Sequence, residues 1–309
     1  MPEPKRYSFV HLEYGRASRE SSLELLGRFR RLLVARGHEV SLLIVDNALR
    51  SGEERYDGHG FEGVAVVPGD NSNHEFTGWD AGMSAMLRRA DAPDVWVFTN
   101  DTVATHHGWS ETRVRRFFDQ ADWLSQHGGP WMLGELINCA NPGSTPIGPM
   151  LQWISTYAFA MNDRLRWTLG TVSPAPALLD SIFEDSYEPA HRVFRPHLGP
   201  DFMAGAMDWL VADSGEGTAR ARRFGWKNTA YKVRTLDAET FPALRSKLRC
   251  VLSESFLSQR ARQAGAELWC PYSGTTGRQR VRNTYDFLMD KVKEKLIMRR
   301  RRAHRSPAG

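Results

Sequence analysis

The chain has 309 residues, of which 41% are hydrophobic and 25% charged, enough to bury a substantial core and ordinary for a globular protein. The net charge of +5 is uneven: eight Lys/Arg against Glu294 in residues 291–309 give that stretch +7, so the remainder carries −2. A body of that charge excludes a general nucleic-acid binder with basic groups over a folded face, and no apolar run approaches the ~18–20 residues that span a bilayer.

Residues 7–12 read as a first strand. Residues 18–36 read as a helix, with Ser18 or Ser21 as cap and Gly37 as stop. Residues 40–45 (Val-Ser-Leu-Leu-Ile-Val) form an apolar strand ending in Asp46-Asn47. Residues 63–67 form another. It runs into Pro68-Gly69-Asp70-Asn71-Ser72-Asn73, and Phe76-Thr77-Gly78-Trp79-Asp80-Ala81-Gly82 then opens a helix. After Asp91-Ala92-Pro93-Asp94, the run Val95-Trp96-Val97 leads into Phe98-Thr99-Asn100-Asp101-Thr102. Short apolar strands that each end in polar residues, with helices between them, predict a parallel sheet with crossover helices. Ligands of such sheets collect outside the strand ends.

Residues 110–126 read as a helix capped by Ser110, with Glu111 in its first turn, where the helix dipole favours acids. Residues 131–136 and 153–161 read as strands, and Asn162-Asp163 starts a short helix ending at Gly170. Residues 138–149, rich in Gly, Pro, Ser and Asn, read as a loop at the lip of a site. Residues 174–185 and 202–211 read as helical. Residues 241–264 read as one long helix or two, stopped by Gly265 and followed by a strand at 267–270.

Ile44-Val45-Asp46-Asn47, the Asn71…Phe76…Gly78…Gly82 stretch and Phe98-Thr99-Asn100-Asp101-Thr102 stand in an order and spacing that resembles family 2-type glycosyltransferases of the GT-A fold. Among these, bacterial polysaccharide and rhamnose-chain transferases are the nearest in look. The resemblance covers residues 5–105 well and is patchy beyond. The opening motif departs from the family, reading His11-Leu12-Glu13-Tyr14-Gly15-Arg16.

The resemblance implies a GT-A-type α/β sandwich over residues 1–275, with a nucleotide-sugar half at about 1–105 and an acceptor half at about 106–275. A basic amphipathic helix and tail follow over 276–309. It implies that Asp46 and Asn47 meet the base and ribose, and that the Asn71–Gly82 segment lines the donor site. It makes Asn100-Asp101 the DXD-type motif, with Mg²⁺ or Mn²⁺ held at Asp101. The reaction implied is an inverting transfer from a nucleoside diphosphate sugar to a glycan or lipid-linked glycan, in surface polysaccharide or lipopolysaccharide assembly.

Several roles stay open on residue chemistry. Asn71 suits a donor contact or a turn. Asp80 suits a donor contact or a helix cap. Gly78 and Gly82 suit close backbone approach at a helix start. His106 and His107 suit a second metal ligand or a solvated loop. Any of Trp79, Trp109, Trp153 and Trp226 suits a sugar platform or the core. Arg220, Arg222, Arg223 and Lys227 suit a diphosphate or a solvated turn.

Aligned on Leu257, Arg260 and Gly265, Glu254 takes the place of the family's catalytic base, where Asp after another acid is usual and Ser253-Glu254 stands here. Glu184-Asp185 is the rival pair. A nucleotidyltransferase-like enzyme remains an alternative, although Gly15-Arg16 makes a poor triphosphate loop. So does an inactive glycan- or nucleotide-binding member of the fold.

Val281, Tyr285, Leu288, Met289, Val292 and Leu296 recur three or four apart and make one helical stripe ahead of four arginines. Such a helix suits an anionic membrane surface or packs on the body. Cys139, Cys250 and Cys270 lack metal-ligand spacing, and the first residues lack the apolar core of a signal peptide. The expectation is a cytoplasmic protein with reduced thiols, at most peripheral on the inner face of the membrane.

Overall fold

The computed structural model describes residues 3–105, 108–138, 144–145, 148–149, 152–188, 192–195, 198, 236–272, 285, 287–293 and 295–296. In chain order the strands are β1 (Arg6–Glu13), β2 (Glu39–Asp46), β3 (Glu54–Gly58), β4 (Phe61–Pro68), β5 (Val95–Asn100) and β6 (Trp131–Asn138). They continue with β7 (Ser144–Thr145), β8 (Gly148–Pro149), β9 (Gln152–Asn162), β10 (Phe183–Glu188), β11 (Arg192–Phe194) and β12 (Glu267–Trp269). The helices are α1 (Arg19–Ala35), α2 (His74–Leu87), α3 (Thr102–Thr105), α4 (Glu111–Ser125), α5 (Asp163–Leu169), α6 (Pro176–Asp180) and α7 (Phe241–Gln263).

The protein is α/β. One mostly parallel sheet runs in the order β12-β6-β9-β5-β1-β2-β4-β3. β1 lies parallel to β2 and to β5, β2 to β4, and β6 to β12, while β3 and β9 run antiparallel to β4 and β5. All six residues of β5 are buried, as a strand covered on both faces requires.

Alternation along β1 divides the two faces. Phe9 packs against Phe29 of α1 and Phe118 of α4. Val10 and Leu12 instead meet α2. Helices therefore cover both faces. The predicted caps and stops account for where they begin and end. Ser110 Oγ accepts the Arg113 amide at 3.0 Å, Asn162 Oδ1 accepts that of Leu165 at 3.2 Å, and Gly37 and Gly170 follow α1 and α5 at φ +85° and +70°. Ser18 precedes α1 without a side-chain cap bond.

Two elements depart from the sequence reading. β3, Glu-Arg-Tyr-Asp-Gly, carries no apolar run and was not expected. It pairs because His59 and Gly60 both sit at positive φ, the requirement of a tight hairpin turn, and its charges blunt the outer edge. Residues 174–185 are not one helix. α6 stops at Asp180, and Phe183 begins β10, which pairs with β11 and brings Phe183 against Phe194 at 5.8 Å. A partner strand distant in sequence overrides local helix propensity there.

The chain divides into two compact units. One holds Met1–Leu136, Ile154–Val172 and Ala261–Gly309, and its core gathers Phe9, Leu26, Phe29, Val97, Phe118 and Leu133. The other holds Ile137–Trp153 and Ser173–Arg260. Its core is built on Phe241, Leu244, Leu248, Leu252 and Phe256, one stripe of α7, with Ile182, Phe183, Val193 and Phe194. Among the described residues no helix is long and apolar enough to cross a membrane.

Candidate functional site

The chain runs outward from β1 through β2 to β4 and then returns to the other side of β1 with β5, so the direction of winding reverses between β1 and β5. Such a reversal opens a crevice beyond the carboxyl ends of the strands. Pairing register decides which side chains reach it. Glu13 lies opposite Asp46 across β1 and β2, and Leu12 lies opposite Asn100 across β1 and β5. Glu13, Asp46 and Asn100 thus end on one edge, with Asp101 the next residue.

Four charged or titratable groups cluster there on the α1 side. Arg19, the first residue of α1, donates from Nε to Glu13 Oε2 at 2.7 Å and from Nη2 to Asp46 Oδ2 at 3.4 Å. His11 Nδ1 shares a hydrogen bond with Thr99 Oγ1 at 2.8 Å. Its Nε2 stands 3.7 Å from Glu13 Oε1, too far for a hydrogen bond, and neither atom has a partner among the described residues. His11 and Glu13 are fully buried.

Burial raises the Glu13 carboxyl to about 7. Arg19 pulls against that rise, and the like charges of Asp46 and Asp101 add to it. Burial, with Arg19 beside it, lowers the His11 imidazole to about 3, so it is neutral. Sequence reasoning noted the stretch from His11 to Arg16 only as an altered motif and missed His11, Glu13 and Arg19 as a group. The available signal was two titratable residues, two apart, at the end of an otherwise apolar strand.

Asp46 reaches the strand end but is turned onto the protein. Its Oδ1 accepts the amides of Gly15 at 2.9 Å and Ala48 at 2.8 Å, and it is 3% exposed. Asn47 donates from Nδ2 to the His74 carbonyl at 3.2 Å and to Asn71 Oδ1 at 3.3 Å, while its buried Oδ1 accepts nothing among the described residues. Asn71 is exposed, sits at φ +54°, and also accepts from the Tyr14 hydroxyl. The loops after β1, β2 and β4 are therefore tied together by side chains.

Gly78 and Gly82 act through their lack of a side chain. A Cβ on Gly78 would overlap Leu12, and one on Gly82 would press on Val10 and come within 2.8 Å of Val45 Cγ2. Both let α2 lie directly on β1 and β2. Asp80 is not a helix cap. It sits in the second turn of α2, where Oδ1 accepts the Val172 amide at 2.7 Å; the residue preceding the helix is Asn73.

Asn100 closes β5 with an Asx turn: its Oδ1 accepts the Thr102 amide at 3.2 Å and hydroxyl at 2.6 Å. That turn carries Asp101, which is half-buried. Arg19 engages both Glu13 and Asp46, and Asp101 stands beside them at the end of β5. Among the described residues no group of three or more His, Cys, Asp or Glu could hold a metal ion on its own. One carboxylate still fits Mg²⁺, which is commonly completed by phosphate oxygens and water.

Glu254 is half-buried on α7, with Ser253, Ser255 and Phe256 buried beside it in sequence. The rival acids Glu184 and Asp185 lie within ion-pair distance of arginines. Asp185 meets Arg195 at 3.1 Å and Arg245 at 3.3 Å, and Glu184 meets Arg195 at 3.5 Å. Trp79, Trp109 and Trp153 are core side chains. His106, His107, Trp226, the 220–227 basic patch, the 202–211 segment and most of the 138–149 loop lie outside the described residues. No known family model, curated protein or solved structure matches the chain.

Proposed function

We propose that the chain transfers a sugar from a nucleoside diphosphate sugar to a glycan or lipid-linked glycan acceptor, on a GT-A-type fold. The reading places it in bacterial surface polysaccharide or lipopolysaccharide assembly. The observation that carries it is the convergence of the strand ends at the winding reversal, where Glu13, Asp46 and Asn100 share one edge and Asp101 follows on the Asx turn. The resemblance of residues 5–105, which rests in part on the same strand-end residues, supports it.

Asp101 would hold the Mg²⁺ or Mn²⁺, which supplies Lewis-acid stabilisation of the departing diphosphate. The Asx turn at Asn100 fixes the backbone from which Asp101 projects. Asp46, by binding the Gly15 and Ala48 amides, shapes the two loops beside it. Glu254 takes the proton of the acceptor hydroxyl as its oxygen bonds to the anomeric carbon and the bond from that carbon to the diphosphate breaks. Attack opposite the leaving group inverts the centre.

A second reading, a nucleotide- or glycan-binding protein without turnover, is favoured by one observation: Arg19 of the protein itself pairs with both Glu13 and Asp46 at the strand ends. A single experiment separates the two. Uridine, thymidine and guanosine diphosphate sugars are screened for a rise in melting temperature and for hydrolysis, with Mn²⁺ and with chelator. Turnover and a shift that both need the metal and vanish in Asp101→Ala support the transferase. A shift of equal size in chelator, with no turnover, refutes it.

A further inference from the structure

The described helical residues 285, 287–293 and 295–296 are placed against the body in an inverted way. A surface helix ordinarily turns its apolar stripe inward. Here a polar face is the one that docks. Asp290 is 2% exposed and accepts from Ser110 Oγ at 2.8 Å and the Tyr272 hydroxyl at 2.6 Å. Lys291 donates to Glu135 Oε1 at 2.9 Å. Burial opposes a charge on Glu135, but Arg113, Lys291 and the Tyr157 hydroxyl hold it well below the usual carboxylate range, so the lysine has a charged partner. Phe287 lies edge-on to Tyr272 at 5.3 Å. A cavity of about 80 Å³ remains between this face and the body, lined by Arg113, Glu135, Tyr272 and Asp290 among others.

At roughly 100° per residue, Tyr285, Leu288, Met289, Val292 and Leu296 fall on the opposite side. They are 40–62% exposed. Lys293, whose Nζ lies 4.0 Å from Asp290 Oδ1, and Lys295 are both exposed and stand on either flank of that stripe. Arg299, Arg300, Arg301 and Arg302 follow in sequence. An exposed apolar stripe edged by lysines on both sides is the form of a helix lying in the plane of a lipid interface. A second copy of the chain is disfavoured as occupant, because a twofold contact would bring two +7 segments together.

We infer that the outward face formed by Tyr285, Leu288, Met289, Val292 and Leu296 seats on an anionic membrane surface, with the apolar stripe among the acyl chains and Lys293 and Lys295 at the headgroups. The inference does not rest on the proposed catalysis and would stand if that failed. The full chain is sedimented with vesicles of phosphatidylcholine, with and without phosphatidylglycerol, at low and high salt, and its oligomeric state is measured alone.

Binding is expected only to the anionic vesicles and to fall with salt. Leu288→Ser with Val292→Ser, both exposed and so compatible with an unchanged melting temperature, should lower the partition at least about tenfold. Lys293→Ala with Lys295→Ala should lower it about thirtyfold. No binding to anionic vesicles would overturn the inference. So would full binding by the Leu288/Val292 variant, which would assign the effect to the arginines alone. A dimer of the wild type that the same variant dissolves would overturn it as well.

Discussion

Glu13→Gln removes one titration from the strand-end cluster while keeping the side chain's shape. Burial holds the Glu13 carboxyl at about 7, against 4.5 for the exposed group of an unfolded chain. Between those values the folded protein retains a proton that the unfolded chain has lost. The stability this proton contributes is therefore complete below about pH 4.5 and is lost as pH rises through about 7. A difference of that size corresponds to about 3 kcal/mol. His11 acts with the opposite sign, costing stability as pH falls from 6.5 towards about 3. It is present in both proteins and cancels in the comparison.

The groups facing Glu13 are Arg19, Asp46, Asp101 and His11, and all are kept. Urea unfolding followed from about pH 4 to about pH 8 should show the variant gaining on the wild type by about 3 kcal/mol across the range. Parallel profiles would refute the reasoning. A variant that loses ground as pH rises would refute it more strongly, since Arg19 would then outweigh burial.

Gly82→Ala gains about 1 kcal/mol of helix propensity but forces a methyl onto two stiff valines, for a net loss of about 1–2 kcal/mol in chemical denaturation. Arg19→Met leaves Glu13 and Asp46 buried without their cation and should cost about 3–5 kcal/mol, read in the same assay. Glu254→Gln should cut acceptor transfer by at least about a hundredfold while leaving the donor-induced rise in melting temperature intact. Loss of both together would make Glu254 a structural residue instead.

β2 and β5 were legible because a strand buried on both faces must be apolar throughout, and Leu43-Ile44-Val45 and Val95-Trp96-Val97 have no other reading of that length. β3 was not, because an edge strand is held by its turn and its neighbour, and its own residues carry no periodic signal. The reading of residues 174–185 as a helix failed at Ile182-Phe183, whose burial depends on Val193 and Phe194. At the site, Asp46 and Asp101 stood out as acids ending apolar runs. That Asp46 turns onto the Gly15 and Ala48 amides could not be read, because it depends on how the loop after β1 folds back. Glu13 and Arg19 pair only once register sets β1 against β2. The C-terminal stripe was plain in its spacing, but its orientation follows from Ser110 and Tyr272, far from Asp290 in the chain.

β12 finishes the sheet beside β6 using residues made long after the rest. The parallel core of β1, β2, β4 and β5 is complete once residue 100 has emerged. Trp131, Met132 and Leu133 must wait for Glu267, Leu268 and Trp269. At ribosomal speeds of about 5–20 residues per second, that delay is on the order of ten seconds. Throughout it a nascent chain presents an apolar border ready to pair with whatever strand arrives first. Truncation after β9 but before residue 267 would make that border permanent, so forms shortened within that stretch should aggregate through β6.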